Sequence, residues 1–331
     1  MQLLLALLPV LVTLVAGAVV PLVPGDNSHY VEGESRYVWV PDGDGNPLLV
    51  DLQEPVDEEE GARRAEDTQF WLFTRRNPIT PQILRQGNAA SVTNSNYLGS
   101  RPLKVIVHGF AGNGNSEINP LLTSAWLAVV DANVIVVDWR RLATSSYVNA
   151  VSQAPNVGRI VSNFIQWLFN TAGGQWFNVH ITGFSLGGQI AGNAGRLSGS
   201  RPRRVTGLDP VSPMWYNNVN AIGRNAGQYV EIIHTYHTRS NPPLVGHADF
   251  YPNGANTQPG CSNSICSHNR SFQLFAATIR YNRLVGRQCA NAGEAQRNQC
   301  RGSATLQMGN SNLNKRGSGF FGLATRATWP F

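Results

Sequence analysis

Five apolar, β-branched runs, separated by stretches of helical spacing, constrain the fold more than any other feature of the chain. Residues 104–110 (KVIVHGF), 133–139 (NVIVVDW), 177–182 (FNVHIT), 203–210 (RRVTGLDP) and 229–235 (YVEIIHT) each read as a strand, with 70–74 (FWLFT) before them. Residues 119–131, 146–170 and 186–197 carry the helical pattern between them. Nearly continuous apolar strands are buried on both faces, and helices between them are what covers those faces. The expectation is an α/β fold around a mostly parallel sheet with helices on both sides. Ligand sites in such sheets form beyond the carboxyl ends of the strands.

With 331 residues, 42% hydrophobic and 14% charged, one large core is affordable and disorder is not expected. The net charge of +6 comes almost wholly from arginine, with a cluster at Arg196, Arg201, Arg203 and Arg204. No aromatics interleave with it, so nucleic-acid binding is not expected. The cluster reads as a solvated loop after a helix, weak attraction to an anionic lipid surface being the alternative. The opening MQLLLALLPVLVTLVAGAVV ends in Ala16-Gly17-Ala18, a small-x-small pattern, although it lacks Lys or Arg. Residues 1–18 are expected to be a signal peptide, with an uncleaved anchor as the alternative, and secretion follows. No later apolar stretch is long enough to span a bilayer. Residues 19–62 contain no evident periodicity and read as an N-terminal arm or pro-segment, with Arg63-Arg64 a weak processing signal and one domain from 63 to 331. Cys261, Cys266, Cys289 and Cys300 are an even count in an exported chain, which favours two bridges. Of three connectivities, Cys261–Cys266 with Cys289–Cys300 closes short local loops and is expected.

Gly183-Phe184-Ser185-Leu186-Gly187 follows a strand and precedes a helix. That is the setting of a nucleophile elbow, in which a serine hydroxyl stands exposed at a helix N-terminus. A serine needs a histidine to take its proton and an acid to orient that histidine, in the chain order Ser, Asp, His. Asp138 precedes Ser185 and is excluded by that order. Asp209 ends a strand and is the expected acid, with Asp249 as its rival. Among seven histidines, His268 directly follows the Cys261–Cys266 loop and is favoured as a base on a disulfide-pinned loop. His108, His180 and His234 read as structural. His247 and Asp249 form an H-x-D pair without an apparent third metal ligand. Backbone N–H groups of Phe110, after an earlier strand, and of Leu186 are the expected oxyanion donors.

These residues resemble a known family. HGF (108–110), VVDW (136–139), GFSLGG (183–188), GLDP (207–210), GHADFYPNG (246–254), QPGC (258–261) and CSHNRS (266–271) are similar to the pancreatic-lipase family, in particular its insect neutral-lipase and phospholipase A1 branches. The resemblance runs from about Phe70 to Phe331. It implies the α/β-hydrolase fold, with Ser185, Asp209 and His268 as the triad and Phe110 and Leu186 as oxyanion donors. Several departures matter. Phe184 stands where the family usually has histidine, a position read here as outside the chemistry. Only four residues separate Cys261 from Cys266, where triacylglycerol lipases carry a long lid, and the 234–247 loop is also short. The stretch 221–227 lacks the aspartates of calcium-binding members, so no calcium and no other cofactor is expected. The C-terminal β-sandwich of the pancreatic enzymes is missing from this sequence, so colipase is not expected. The expectation is a monomeric serine ester hydrolase meeting lipid at a membrane or micelle surface. A short lid favours phospholipid or galactolipid; a triacylglycerol lipase and a non-catalytic, yolk-type lipid-binding homologue are the alternatives.

Overall fold

The computed structural model describes residues 12–15, 18–43, 45–210, 213–236 and 242–331. Most of the expected signal peptide, and His237, lie outside these residues. The central sheet has eleven strands: β1 (Gln69–Thr74), β2 (Asn77–Leu84), β3 (Leu103–Val107), β4 (Asn133–Asp138), β5 (Val179–Phe184), β6 (Arg204–Leu208), β7 (Val230–Ile233), β8 (Ala248–Pro252), β9 (Val285–Cys289), β10 (Thr305–Gln307) and β11 (Gly319–Leu323). Their spatial order is β10-β9-β11-β8-β7-β6-β5-β3-β4-β1-β2. The run from β4 through β11 is parallel, and antiparallel strands flank it on each side.

Alternation along each strand divides its side chains between two cores. Leu103, Val105 and Val107 of β3 join one apolar cluster, whereas Ile106 joins the other. Helices α1 (Glu58–Glu66), α3 (Tyr147–Ala172) and α4 (Leu186–Leu197) cover the first face. Helices α2 (Ile118–Val129) and α5 (Ser264–Tyr281) cover the second. The mostly parallel, doubly covered sheet expected from the sequence is therefore the architecture found. Within the segment read as an arm, Tyr37–Pro41 and Pro47–Asp51 form an antiparallel hairpin, and Val38, Val40 and Val50 are buried in the first core. The period-two signal is there in YVWVP, but it spans only five residues.

The second core holds an unusual polar row. Lys104, His180 and Arg204 are aligned across β3, β5 and β6. Arg204 is fully buried, which corrects the solvated-loop reading for this member of the arginine cluster. Its Nη1 and Nη2 groups donate to the carbonyls of Gly309 (2.6 Å), Asn310 (3.0 Å) and Asn312 (3.1 Å) and to Glu231 Oε1 (3.1 Å), while its Nε is buried without a partner among the described residues. Burial, with Arg204, Lys104 and Lys315 nearby, holds the His180 imidazole well below its ordinary 6.5. Folded His180 thus refuses a proton that the unfolded chain accepts, and stability falls as pH drops below that value. His180→Gln, which can still bond Thr206, is expected to flatten the decline of Tm between pH 7 and pH 5. Parallel Tm profiles for the two proteins would count against this role.

Candidate active site

Ser185 sits at the turn from β5 into α4 with φ 54° and ψ −128°, a conformation L-residues rarely adopt. The turn is held by Ser185 N–H donating to Leu208 O (2.9 Å) and Gly188 N–H donating to Ser185 O (2.8 Å). Its glycines are required by space. A Cβ on Gly183 would lie 2.0 Å from Gly187 O, and one on Gly187 would lie 2.2 Å from His108 O. The elbow is thereby pressed against the loop that follows β3. Leu186 opens α4, so its N–H has no partner within the helix.

Asp209 follows β6, the neighbouring strand, with φ 43°. Its carboxylate is fully buried, and three donors satisfy it: Thr235 N–H (2.9 Å) and Tyr236 N–H (3.2 Å) on Oδ1, and His268 Nδ1 at 2.6 Å on Oδ2. A buried carboxylate is tolerable only when so bonded. With Nδ1 facing Asp209, Nε2 is the nitrogen left to exchange a proton. Ser185 and His268 are each 9% exposed and line one cleft of about 1050 Å³. Ser185 and Phe110 also line an adjoining niche of about 30 Å³, roughly the share of one water molecule. A serine hydroxyl, an imidazole held by a carboxylate and a space fit for one oxygen atom thus meet at one cleft.

A family model described as Lipase matches residues 37–331. The chain belongs to the pancreatic-lipase family. Pancreatic lipase-related protein 2 of Bos taurus is 33% identical over 263 residues, covering 71% of this chain and 56% of that protein. The Homo sapiens protein of the same name is 29% identical over 286 residues, covering 78% and 61%. Pancreatic triacylglycerol lipase of Sus scrofa is 31% identical over 241 residues, covering 64% and 53%. The chain thus spans roughly half to three-fifths of the length of these relatives.

In this family member the remaining candidates fall into supporting positions. Asp249, the rival acid, faces His234 (Nε2 to Oδ2, 3.3 Å) and accepts the amides of Val245 and Gly246. His247 Nδ1 accepts from Val230 N–H (3.0 Å), so His247 and Asp249 are committed to different partners. Asp138 anchors the loop after β3. Burial alone would raise its pKa, but His108 and Arg140 hold it at about 2. His108 Nδ1 meets Gly109 O (2.9 Å), and Trp139 Nε1 donates to His108 O (2.9 Å), which fixes the backbone leading to Phe110.

One reading needs correction. His268 stands in the second turn of α5, not on a loop. Asn263 caps that helix by accepting from Cys266 N–H (2.8 Å), and the Cys261–Cys266 disulfide pins the helix start. Cys289 and Cys300 form the second bridge. Phe184 takes no polar part in the site, but its ring packs 4.6 Å from the His268 imidazole, with Phe272 edge-on to it at 5.0 Å. Its contact could not be found from the motif, because it depends on where α5 docks.

Proposed function

We propose that the chain is a secreted carboxylester hydrolase releasing fatty acids from glycerolipids. The 2.6 Å contact between Asp209 and His268, in one cleft with Ser185 on its strained elbow, carries this reading. Ser185 Oγ attacks the ester carbonyl carbon while His268 Nε2 takes its proton. Asp209 holds the imidazole in the required tautomer and balances the imidazolium charge. The amides of Phe110 and Leu186 stabilise the tetrahedral oxyanion. The alcohol leaves with the proton from His268. Water, giving a proton to the same nitrogen, then cleaves the acyl-serine and restores the hydroxyl.

The four-residue spacer between Cys261 and Cys266 supports a substrate whose polar head stays in water, as in phospholipid or galactolipid. Triacylglycerol is the second reading, supported by the similarity to pancreatic triacylglycerol lipase of Sus scrofa. Fatty-acid release from phosphatidylcholine, a galactolipid and a long-chain triacylglycerol, each with a Ser185→Ala control, tests both. Release from the polar lipids, abolished by the substitution, is expected. Preferential triacylglycerol release would keep the serine mechanism and discard the head-group preference. Absence of release from folded protein would sink the hydrolase reading.

A further inference from the structure

The cleft is walled on one side by the N-terminal segment. Tyr30, Val31, Trp39 and Pro41 line the same cavity as Ser185 and His268. Three ties hold the segment across the site. At one end, Ser264 Oγ, in the first turn of α5, donates to Gly25 O (2.7 Å). In the middle, Glu32 accepts from Met214 N–H (2.9 Å) and from the Tyr30 hydroxyl, joining the segment to the loop after Asp209. At the other end, Gly43 N–H donates to Ala111 O (3.2 Å), beside Phe110. Between these ties, the Asn27 side chain clamps the Trp39 backbone, donating to its carbonyl (2.7 Å) and accepting its amide (2.8 Å). Lifting the segment would expose buried Val38 and Val40, so it is a fixed wall.

We propose that residues 27–41 are the acyl-chain wall of the cleft and set the length of acyl chain it accepts. The inference deepens the hydrolase reading and rests on it. A four-residue spacer cannot cover an apolar chain, whereas this segment puts Tyr30, Val31 and Trp39 along the cavity that begins at Ser185. The ligand class is one long, unbranched acyl chain of a glycerolipid ester. The half-buried Tyr30 ring supplies wall directly. Exposed Glu32 acts as a positioning residue, fixing Tyr30 against Met214.

The test uses the full chain with Tyr30→Ala and, separately, Glu32→Ala, whose exposed site guards against a folding failure in the first. The ratio of kcat/KM for p-nitrophenyl laurate to that for p-nitrophenyl acetate is expected to fall about tenfold in Tyr30→Ala, with a smaller fall in Glu32→Ala. Binding of a fluorescent 18-carbon fatty acid, measured in a Ser185→Ala background, is expected to weaken by a similar factor. An unchanged ratio, or both esters falling together, would overturn the proposal. If the parent protein hydrolyses no ester, the hydrolase reading falls. The wall is then judged by fatty-acid binding alone, and unchanged affinity in the Tyr30→Ala protein rejects it.

Discussion

Asparagine in place of Asp209 is expected to lower kcat by about 10⁴-fold while the protein stays folded. Asp209 Oδ1 receives the amides of Thr235 and Tyr236, and Oδ2 receives His268 Nδ1. An asparagine must keep its carbonyl oxygen toward the two backbone donors. Its NH₂ then faces His268 and forces Nδ1 to accept, which moves the imidazole proton to Nε2. The base is then in the wrong tautomer, although every side chain occupies its usual volume. Turnover of a short soluble ester, with circular dichroism as the folding control, measures the effect. A loss below about tenfold would mean that Asp209 does not orient the base.

The pattern of the chain exposes the centre of the proposed mechanism better than its surroundings. The strand–turn–helix around Ser185 is readable because the β-branched stretch before it and the small residues of α4 are local signals. Asp209 is readable as the end of the next strand. His268 is favoured by its place beside the Cys261–Cys266 pair and named by the family resemblance, but its setting is not readable, since 59 positions separate it from Asp209 and the docking of α5 brings them together. CSNSICSHNRS is too polar at its start to look helical, so its pattern reads as a loop. Strands at the sheet's edges are similarly hidden. β2 contains two prolines and buries only Leu84 fully, and β10 has three residues that pair only through tertiary contact.

The N-terminal segment is illegible for another reason. Its strands are short, interrupted by the PDGDGNP turn, and buried on one side only. Its place depends on Ser264, Met214 and Ala111, all distant in sequence. Arg204 fails in the same way. A run of arginines after a helix resembles solvated surface, and nothing local announces that Glu231 and a loop from the chain's end will enclose one of them.

Glu231→Gln is expected to destabilise the fold by about 3 to 5 kcal/mol, because it leaves two buried cations without their counter-charge. Glu231 bonds Arg204, Lys315, the Tyr229 hydroxyl and Gly309 N–H, and it is fully buried. Both carboxylate oxygens accept, Oε1 from Arg204 and Gly309 N–H and Oε2 from Lys315 and Tyr229, so the substituted amide also sets its NH₂ against one of these donor pairs and the lost acceptor adds to the lost charge. Burial already pushes the Lys315 ammonium down to about 8, with Glu231 opposing that fall. In the parent protein, folded Lys315 loses its proton near pH 8 while the unfolded chain keeps it up to about 10.5. This group therefore makes stability rise with pH across that window, and it contributes no slope below it. In Glu231→Gln the window extends downward, so raising pH should recover part of the lost stability from a lower starting point. Urea unfolding at several pH values, with Lys315→Met added to form a double-mutant cycle, measures both effects. Lys315→Met should offset part of the Glu231→Gln loss, since removing the second cation leaves Arg204 to its backbone carbonyls. A strictly additive cycle would show that the Lys315 contact carries no coupling, and that Arg204 alone explains why a carboxylate is buried there.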